Sequence, residues 1–336
     1  MQTQDIDFVL IWVDGSDPKW LREKKKYDPG EETDDRKMRY RDYDCLKYWF
    51  RGVEKFAPWV HNIFLVTCGQ KPTWLDENNK KLILVDHKDF IPDQYLPTFS
   101  SHPIELNIHR IKGLSETFVY FNDDMFIVNK VKKNDFFKKG LPCDTAVINA
   151  HPSIKNTLHI SETNMEIIND KIKKKDVLRR HPLQWFRFKY GAKLLRTICL
   201  LPWPEFIGIW DHHLASSFLK ETFVTLWDKE YDILNRTSMH KFRYAMDVNQ
   251  WLFRYWQIVS GKFHPRKSSF GKSFVLKDDM NDNQKILKVI RKQRYKMICI
   301  NDGIEDEENF VEVKKALLNA FESIFPEKSS FEKEKI

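Results

Sequence analysis

Residues 118–126 read FVYFNDDMF, an aromatic and β-branched strand that stops at two adjacent carboxylates, Asp123 and Asp124. Two other stretches end in the same way. FVLIWVDGSDP puts Asp14 and Asp17 behind an apolar run at 8–13, and MICIND puts Asn301 and Asp302 behind one at 297–300. Taken singly, an Asp or Asn after a strand is what any turn uses to satisfy local backbone groups. Taken together, the three endings point to one place, because ligands of an open α/β sheet lie in the crevice beyond the carboxyl ends of its strands. Carboxylate and amide oxygens are hard donors, so their convergence suits Mg2+ or Mn2+ shared with substrate phosphates.

Outward from these strands, the chain alternates. Strands are expected at 8–13, 62–67, 81–85 and from 118, and helices at 42–56 and 104–111, with Leu46, Trp49, Phe50, Val53 and Phe56 at helical spacing in the first. A polar loop is expected at 19–37. This rhythm implies an α/β fold with a Rossmann-like, mostly parallel sheet. Between 151 and 265 the pattern changes to long aromatic and basic segments, read as a mainly helical insertion or lid whose last helix is 246–259. The α/β pattern then returns, with a strand at 274–276, a helix at 284–292, the strand at 297 and an amphipathic helix at 309–325. The last segment is expected to rejoin the first sheet, giving a single catalytic domain over 1–336 with its core in 1–150 and 266–330. The final EKSSFEKEKI reads as a frayed end.

Composition narrows the class. With 42% hydrophobic and 31% charged residues, the 336-residue chain has material for a large core. The five cysteines are odd in number and scattered, which argues for reduced thiols over a disulfide framework or structural zinc. No apolar stretch approaches the roughly 20 residues that cross a bilayer, and the N-terminus lacks secretory-signal features, so a cytoplasmic location is expected. The net charge of +8 favours an anionic partner, yet most bases alternate with acids and no nucleic acid is expected. The densest basic cluster, 171–175 with Arg179 and Arg180, runs into an aromatic stretch closed by LLPWPEF. It reads either as the solvated face of a helix or as a peripheral contact with an anionic membrane face.

Four stretches, in order, carry a family resemblance: WVDGSDPKW, RYRDYDCLKYWFRGVEKFAPWVHNIFLVTCGQKPTWL, FSSHPIELNIHRIKGLSETFVYFNDDMF and CINDGIEDEENFVEVKKALLNAFESIFPEKSSFE. The chain resembles the Stealth proteins, hexose-1-phosphate transferases of bacterial capsules and related polysaccharides. That resemblance implies a nucleotide-sugar-binding (GT-A-like) fold and transfer of hexose-1-phosphate from a UDP-sugar to a glycan hydroxyl, with UMP released. It further implies a lipid-linked glycan acceptor at the inner face of the cell membrane. Asp123, Asp124, Asp302 and Asn301 are then expected to hold the metal. Asp14, Gly15, Ser16, Asp17, Arg41, His109 and Arg110, together with Arg39 and Asp44, are expected on the donor side. His213 of WDHHLAS is the expected base, with His212 as the alternative, and Arg243 is expected to hold a phosphate with Asp247 orienting it. Two rival readings stay open: a glycosyltransferase of the same fold that releases UDP, and a basic protein that binds polyanions without catalysis.

Overall fold

Strand β4 (Thr117–Phe121) is buried along its whole length, and the computed structural model, which describes residues 5–27, 38, 40–151 and 159–334, explains why. It lies inside a five-stranded sheet ordered β3 (Leu82–Asp86), β2 (Ile63–Thr67), β1 (Asp7–Ile11), β4 and β8 (Ser216–Leu219). The first four are mutually parallel, and β8 closes the edge antiparallel to β4. Both faces are covered. Phe8, Leu10, Val119 and Phe121 enter one core cluster, while Val9, Phe118 and Tyr120 enter the other. A sheet buried on both sides needs near-continuous apolar strands, and those are what 8–11 and 118–121 supply.

A second sheet, ordered β10 (Gly271–Val275), β11 (Met297–Asn301) and β5 (Met125–Ile127), stands apart from the first. The C-terminal segment therefore does not rejoin the first sheet, as its rhythm suggested. It pairs instead with β5, the short strand that follows the Asn122–Asp123–Asp124 turn. A third, small sheet joins β6 (Phe137–Lys138), β7 (Leu141–Asp144) and β9 (His264–Pro265).

The helices in the first part are α1 (Pro18–Lys24), α2 (Leu46–Phe56), α3 (Ser101–Asn107) and α4 (Lys133–Phe136). The expected 19–37 loop thus begins with a helix, which Asp17 caps by accepting from the Lys19 N–H. Helices α5 (Ile160–Lys171), α6 (Lys174–Arg180), α7 (Pro182–Trp185), α8 (Leu194–Cys199), α9 (Lys220–Lys229), α10 (Tyr231–Met239) and α11 (Gln250–Val259) follow. Strand β8 interrupts this run, so the segment also contributes to the main sheet. Helices α12 (Met280–Arg291) and α13 (Glu307–Ile324) complete the described part of the chain. Among the described residues, no helix is long and apolar enough to cross a membrane.

The C-terminal tail is docked, contrary to the expected frayed end. Phe331 is buried with its ring 5.1 Å from that of Phe50, and Glu332 receives a two-pronged bond from Arg51 at 2.7 and 2.8 Å. Helix α2 thereby grips both the tail and the second sheet. At Gly52 it lies so close to β5 that a Cβ would sit 2.5 Å from the Ile127 carbonyl oxygen. Gly52→Ala should therefore destabilise the fold by about 1–3 kcal/mol through overpacking. Thermal unfolding checks this, and an unchanged midpoint would mean that α2 can shift outward.

Candidate active site

The turn between β4 and β5 carries the chain from the first sheet into the second, and its carboxylates face a cavity of about 570 Å³. Antiparallel pairing sets Met125 opposite Cys299, and the Ile300 N–H donates to the Asp124 carbonyl at 2.9 Å. The end of β11 is thereby fixed beside Asp123 and Asp124. Asp123, Asp124, Asn301, Asp302, His213 and Arg243 all line this cavity, as does Arg41.

The carboxylate pair is held in an unfavourable setting for negative charge. Although Asp123 keeps solvent contact through the open cavity, desolvation by the surrounding walls, then the adjacent Asp124 and Asp42, push it up to about 8. Burial also raises Asp124, against the lowering influence of His213 and of the Cys299 thiol, which donates to Asp124 Oδ2 at 3.2 Å. Among the described residues, Asp124 Oδ1, a buried atom, has no hydrogen-bond partner. Two neighbouring carboxylates with an orphaned oxygen fit a cation. One oxygen of Asp124, a ring nitrogen of His213 and Cys299 Sγ lie within 4.8 Å of one another, yet burial and the charge of Asp124 drive the thiol well above its ordinary range. The thiol donates to Asp124, and the carboxylates of Asp123 and Asp124 with the nearby amide of Asn301 make an oxygen-rich donor set that suits Mg2+ or Mn2+.

Asp302, expected among the ligands, is engaged elsewhere. Its Oδ2 accepts from Arg41 Nε at 2.9 Å and pairs with Nη2 at 2.8 Å, while Oδ1 accepts from the Ile304 N–H. Arg41 also lies 4.4 Å from the Phe310 ring centre, so this ion pair ties the 40–45 loop to the end of β11. Asn301 donates its Nδ2 to the Phe274 carbonyl at 3.2 Å. Asp44 pairs with Lys314 and does not line the cavity, and Arg39 lies outside the described residues.

The two histidines of WDHHLAS separate cleanly. His212 is buried, with Nδ1 accepting from the Leu214 N–H at 3.1 Å and Nε2 at 3.4 Å from Asp144 Oδ1. Burial and the nearby Arg254 push it down to about 4, so it is a neutral structural group. His213 faces the cavity, 4.0 Å from Asp124 Oδ2, with its ring edge-on to Trp251 at 5.8 Å. Its backbone φ of +47° is one that non-glycine residues rarely adopt. Beneath it, buried Arg254 forks onto Asp144 with two bonds of 2.8 Å and reaches Asp211 at 2.9 Å. Burial alone would raise Asp144, but Arg254 and His212 outweigh it and hold the carboxyl well below its usual range.

Arg243 donates to Ser101 Oγ at 2.9 Å. Asp247, expected to orient Arg243 directly, instead accepts from His102 Nδ1, His240 Nδ1 and the Tyr244 N–H. It shapes the loop that carries the arginine.

Two groups of expected donor-side residues lie outside the cavity wall. The Asp14–Asp17 turn is occupied with itself: Asp14 Oδ1 accepts from Ser16 N–H and Oγ at 2.9 and 2.6 Å, and Gln70 bonds Asp14 and Asp17. Gly15 is needed because a Cβ there would lie 2.1 Å from the Tyr40 carbonyl oxygen. Only the residues before this turn, Ile11, Trp12 and Val13, reach the cavity. His109 packs against Phe223 and Trp227, and Arg110 lies over Trp227 while bonding Asn107, so both face helix α9. Sequence reading missed Glu105, a buried acid in the cavity wall that accepts from the Tyr120 hydroxyl at 3.0 Å and from the Gln250 N–H. A lone glutamate within the apolar stretch PIELNI was the available signal.

Comparison with known proteins now adds to this geometry. Three models match: Stealth protein conserved region 1 over 4–32, conserved region 2 over 39–143 and conserved region 4 over 288–335. A capsular polysaccharide phosphotransferase, WcwK of Streptococcus pneumoniae, is 45% identical over 335 residues, 98% of either chain. The chain belongs to the Stealth family. An exopolysaccharide phosphotransferase, cps2G of Lactiplantibacillus plantarum, is 45% identical, covering 98% of this chain and 96% of that one. The solved galactosyltransferase LgtC, in complex with donor and acceptor sugar analogs, overlays with a TM-score of 0.42 at 8% identity, covering 94% of this chain and 95% of that one. In Stealth terms, the middle two of the four resembling stretches fall within conserved region 2. That region supplies Arg41, Asp123 and Asp124, and conserved region 4 supplies Asn301 and Asp302.

His109 makes a separate prediction. Burial holds it down to about 3, against 6.5 for an ordinary histidine. Between those values the unfolded chain binds a proton that the folded one refuses, so stability falls as pH drops below about 6.5. His109→Phe keeps a ring against Phe223 and should flatten the fall in melting temperature between pH 7 and pH 5. An identical slope in the variant would show that other groups govern acid sensitivity.

Proposed function

We propose that this chain is a metal-dependent phosphotransferase that moves hexose-1-phosphate from a UDP-sugar to a hydroxyl of a glycan carried on a lipid, building phosphodiester links in capsular or other surface polysaccharide. The observation that carries this reading is the meeting of the Asp123–Asp124 pair, His213 and Arg243 in one cavity. Its volume lies within the usual range of small-molecule sites. The curated relatives, named as phosphotransferases of capsular and exopolysaccharides, support the same reaction class.

In this mechanism the acceptor hydroxyl gives its proton to His213 as its oxygen attacks the β-phosphorus. The new bond is oxygen to β-phosphorus; the bond that breaks joins that phosphorus to the bridging oxygen, which leaves on UMP. Asp123 and Asp124, with the Asn301 carbonyl oxygen, would hold a divalent Mg2+ or Mn2+ ion, whose chemistry is to neutralise phosphate charge. Arg243 offers a forked donor to a phosphate oxygen. The protein's contribution is chiefly positioning: the buried Arg254 network fixes the backbone under His213, and Trp251 limits its ring.

Incubation with UDP-sugars and a glycan acceptor, read by nucleotide analysis and phosphorus NMR, tests the reading. UMP and a phosphodiester are expected, with loss of activity on chelation and in Asp124→Asn. His213→Ala should lower kcat by about 10²–10⁴-fold with little change in KM. UDP as the sole nucleotide product would overturn the proposal in favour of glycosyl transfer.

A further inference from the structure

The stretch 171–203 contributes nothing to the cavity wall, yet it is the least ordinary part of the surface. It holds ten Lys and Arg residues against one acid, Asp176. Of the chain's 56 basic and 48 acidic residues, 46 and 47 lie elsewhere, so the whole net charge of +8 resides here and the remainder is close to neutral. The same stretch shows apolar side chains to water: Phe188 is 96% exposed, Leu183 76%, Leu195 62% and Trp203 52%. Isolated exposed apolar residues are common, but a sequence-contiguous set beside concentrated positive charge marks an interaction surface.

This surface is built, not loose. Trp185, Tyr190 and Thr197 are buried and anchor the stretch from within. Lys174 Nζ donates to the carbonyls of Leu200, Leu201 and Trp203, which clasps the start of α6 to the end of α8. Gln184 Nε2 donates to the Gly261 and Phe263 carbonyls, and the Tyr190 hydroxyl to the Gln184 carbonyl. Phe188, Leu195 and Ile198 stand outside this anchored interior, in solvent.

We propose that 171–203 docks on an anionic bilayer, its exposed apolar side chains entering the headgroup boundary while its Lys and Arg residues meet lipid phosphates. A bilayer meets both features at once, phosphates for the bases and an apolar boundary for Phe188, Leu183 and Leu195, whereas the acidic stretch 305–308 of a second copy would answer only the charge and a soluble polyanion has no use for exposed Phe and Leu. Helix α5 links the surface to the site: Ile160 and Ser161, at its start, line the cavity, and it ends at Lys171 after 12 residues, about 18 Å. A membrane-held acceptor would thus meet the cavity at short range. The inference stands on the surface alone and does not require the phosphotransfer reading.

Flotation of the full chain with phosphatidylglycerol-containing vesicles, with phosphatidylcholine vesicles, and at low and high salt tests it. Binding is expected on anionic vesicles at low salt and absent on neutral ones. The double variants F188S/L195S and K173E/K175E should each weaken it by at least about tenfold while circular dichroism is unchanged. Absence of flotation at low salt overturns the proposal. Undiminished binding by F188S/L195S also overturns it, in favour of charge alone. So does a wild-type dimer in light scattering that F188S/L195S makes monomeric, since a second copy would then cover the face. Nucleotide release with a water-soluble acceptor, measured in parallel, reports on the phosphotransfer reading separately.

Discussion

The short antiparallel ladder between β5 and β11 is the constraint from which the site follows. A strand that ends in two carboxylates would ordinarily run on into a solvent-facing loop. Here the chain turns through Asn122, Asp123 and Asp124 and is captured at once by Met297–Asn301, with Cys299 opposite Met125. Because the pairing is antiparallel, the beginning of β5 must lie at the end of β11. Two segments about 175 residues apart in sequence are thus locked together at their polar ends, and the Asp124 carbonyl is satisfied by Ile300. The crowding of these carboxylates inside the cavity, which makes them costly to ionise, also makes a cation favourable there.

Arg254 plays the complementary part on the other side of the cavity. Charge buried inside a protein is tolerated only when paired and hydrogen-bonded, and Arg254 meets that condition with Asp144 on β7 and Asp211 in the loop before His213. Asp211 also accepts from the Tyr255 hydroxyl at 2.7 Å, so both ends of the arrangement are fixed by α11. The adjacent His212 is drawn into the same interior. A chain direction that buries residue 212 and must then turn outward leaves residue 213 in the left-handed region, facing Asp124.

Much of this was legible because burial leaves a plain mark on strands. The runs 8–11, 63–66 and 118–121 are apolar on both faces, and the helices on either side have clear periodicity, so the mostly parallel sheet could be read directly. Strand β8 was not legible: SSFL is short, and it sits among helices whose aromatic content masks it. The destination of the last strand was hidden for a different reason, since MICIN carries no information on which sheet it joins. At the site, the acidic endings identified Asp123, Asp124 and Asp302 as neighbours, but not their separate fates. The Asp14 turn and His109 lie outside the cavity wall, a placement that sequence could not give, because capping turns and packed histidines use the same residue types as donor pockets.

The contrast between Asp302 and Asp124 shows how partners, more than residue type, divide the work. Both are aspartates at the meeting point of the two sheets and both border the same cavity. Asp302 receives a two-bond fork from Arg41, so its charge is already matched within the protein. Among the described residues, Asp124 receives a weak thiol donor, has His213 at 4.0 Å with Arg243 farther off, and keeps one oxygen without a hydrogen bond. An internal ion pair stabilises a loop whether or not substrate is present; an undercompensated carboxylate has its affinity in reserve for an incoming cation. Arg41 therefore does more than brace a loop. By taking up Asp302 it leaves the Asp123–Asp124 pair as the place in this wall where positive charge is still wanted.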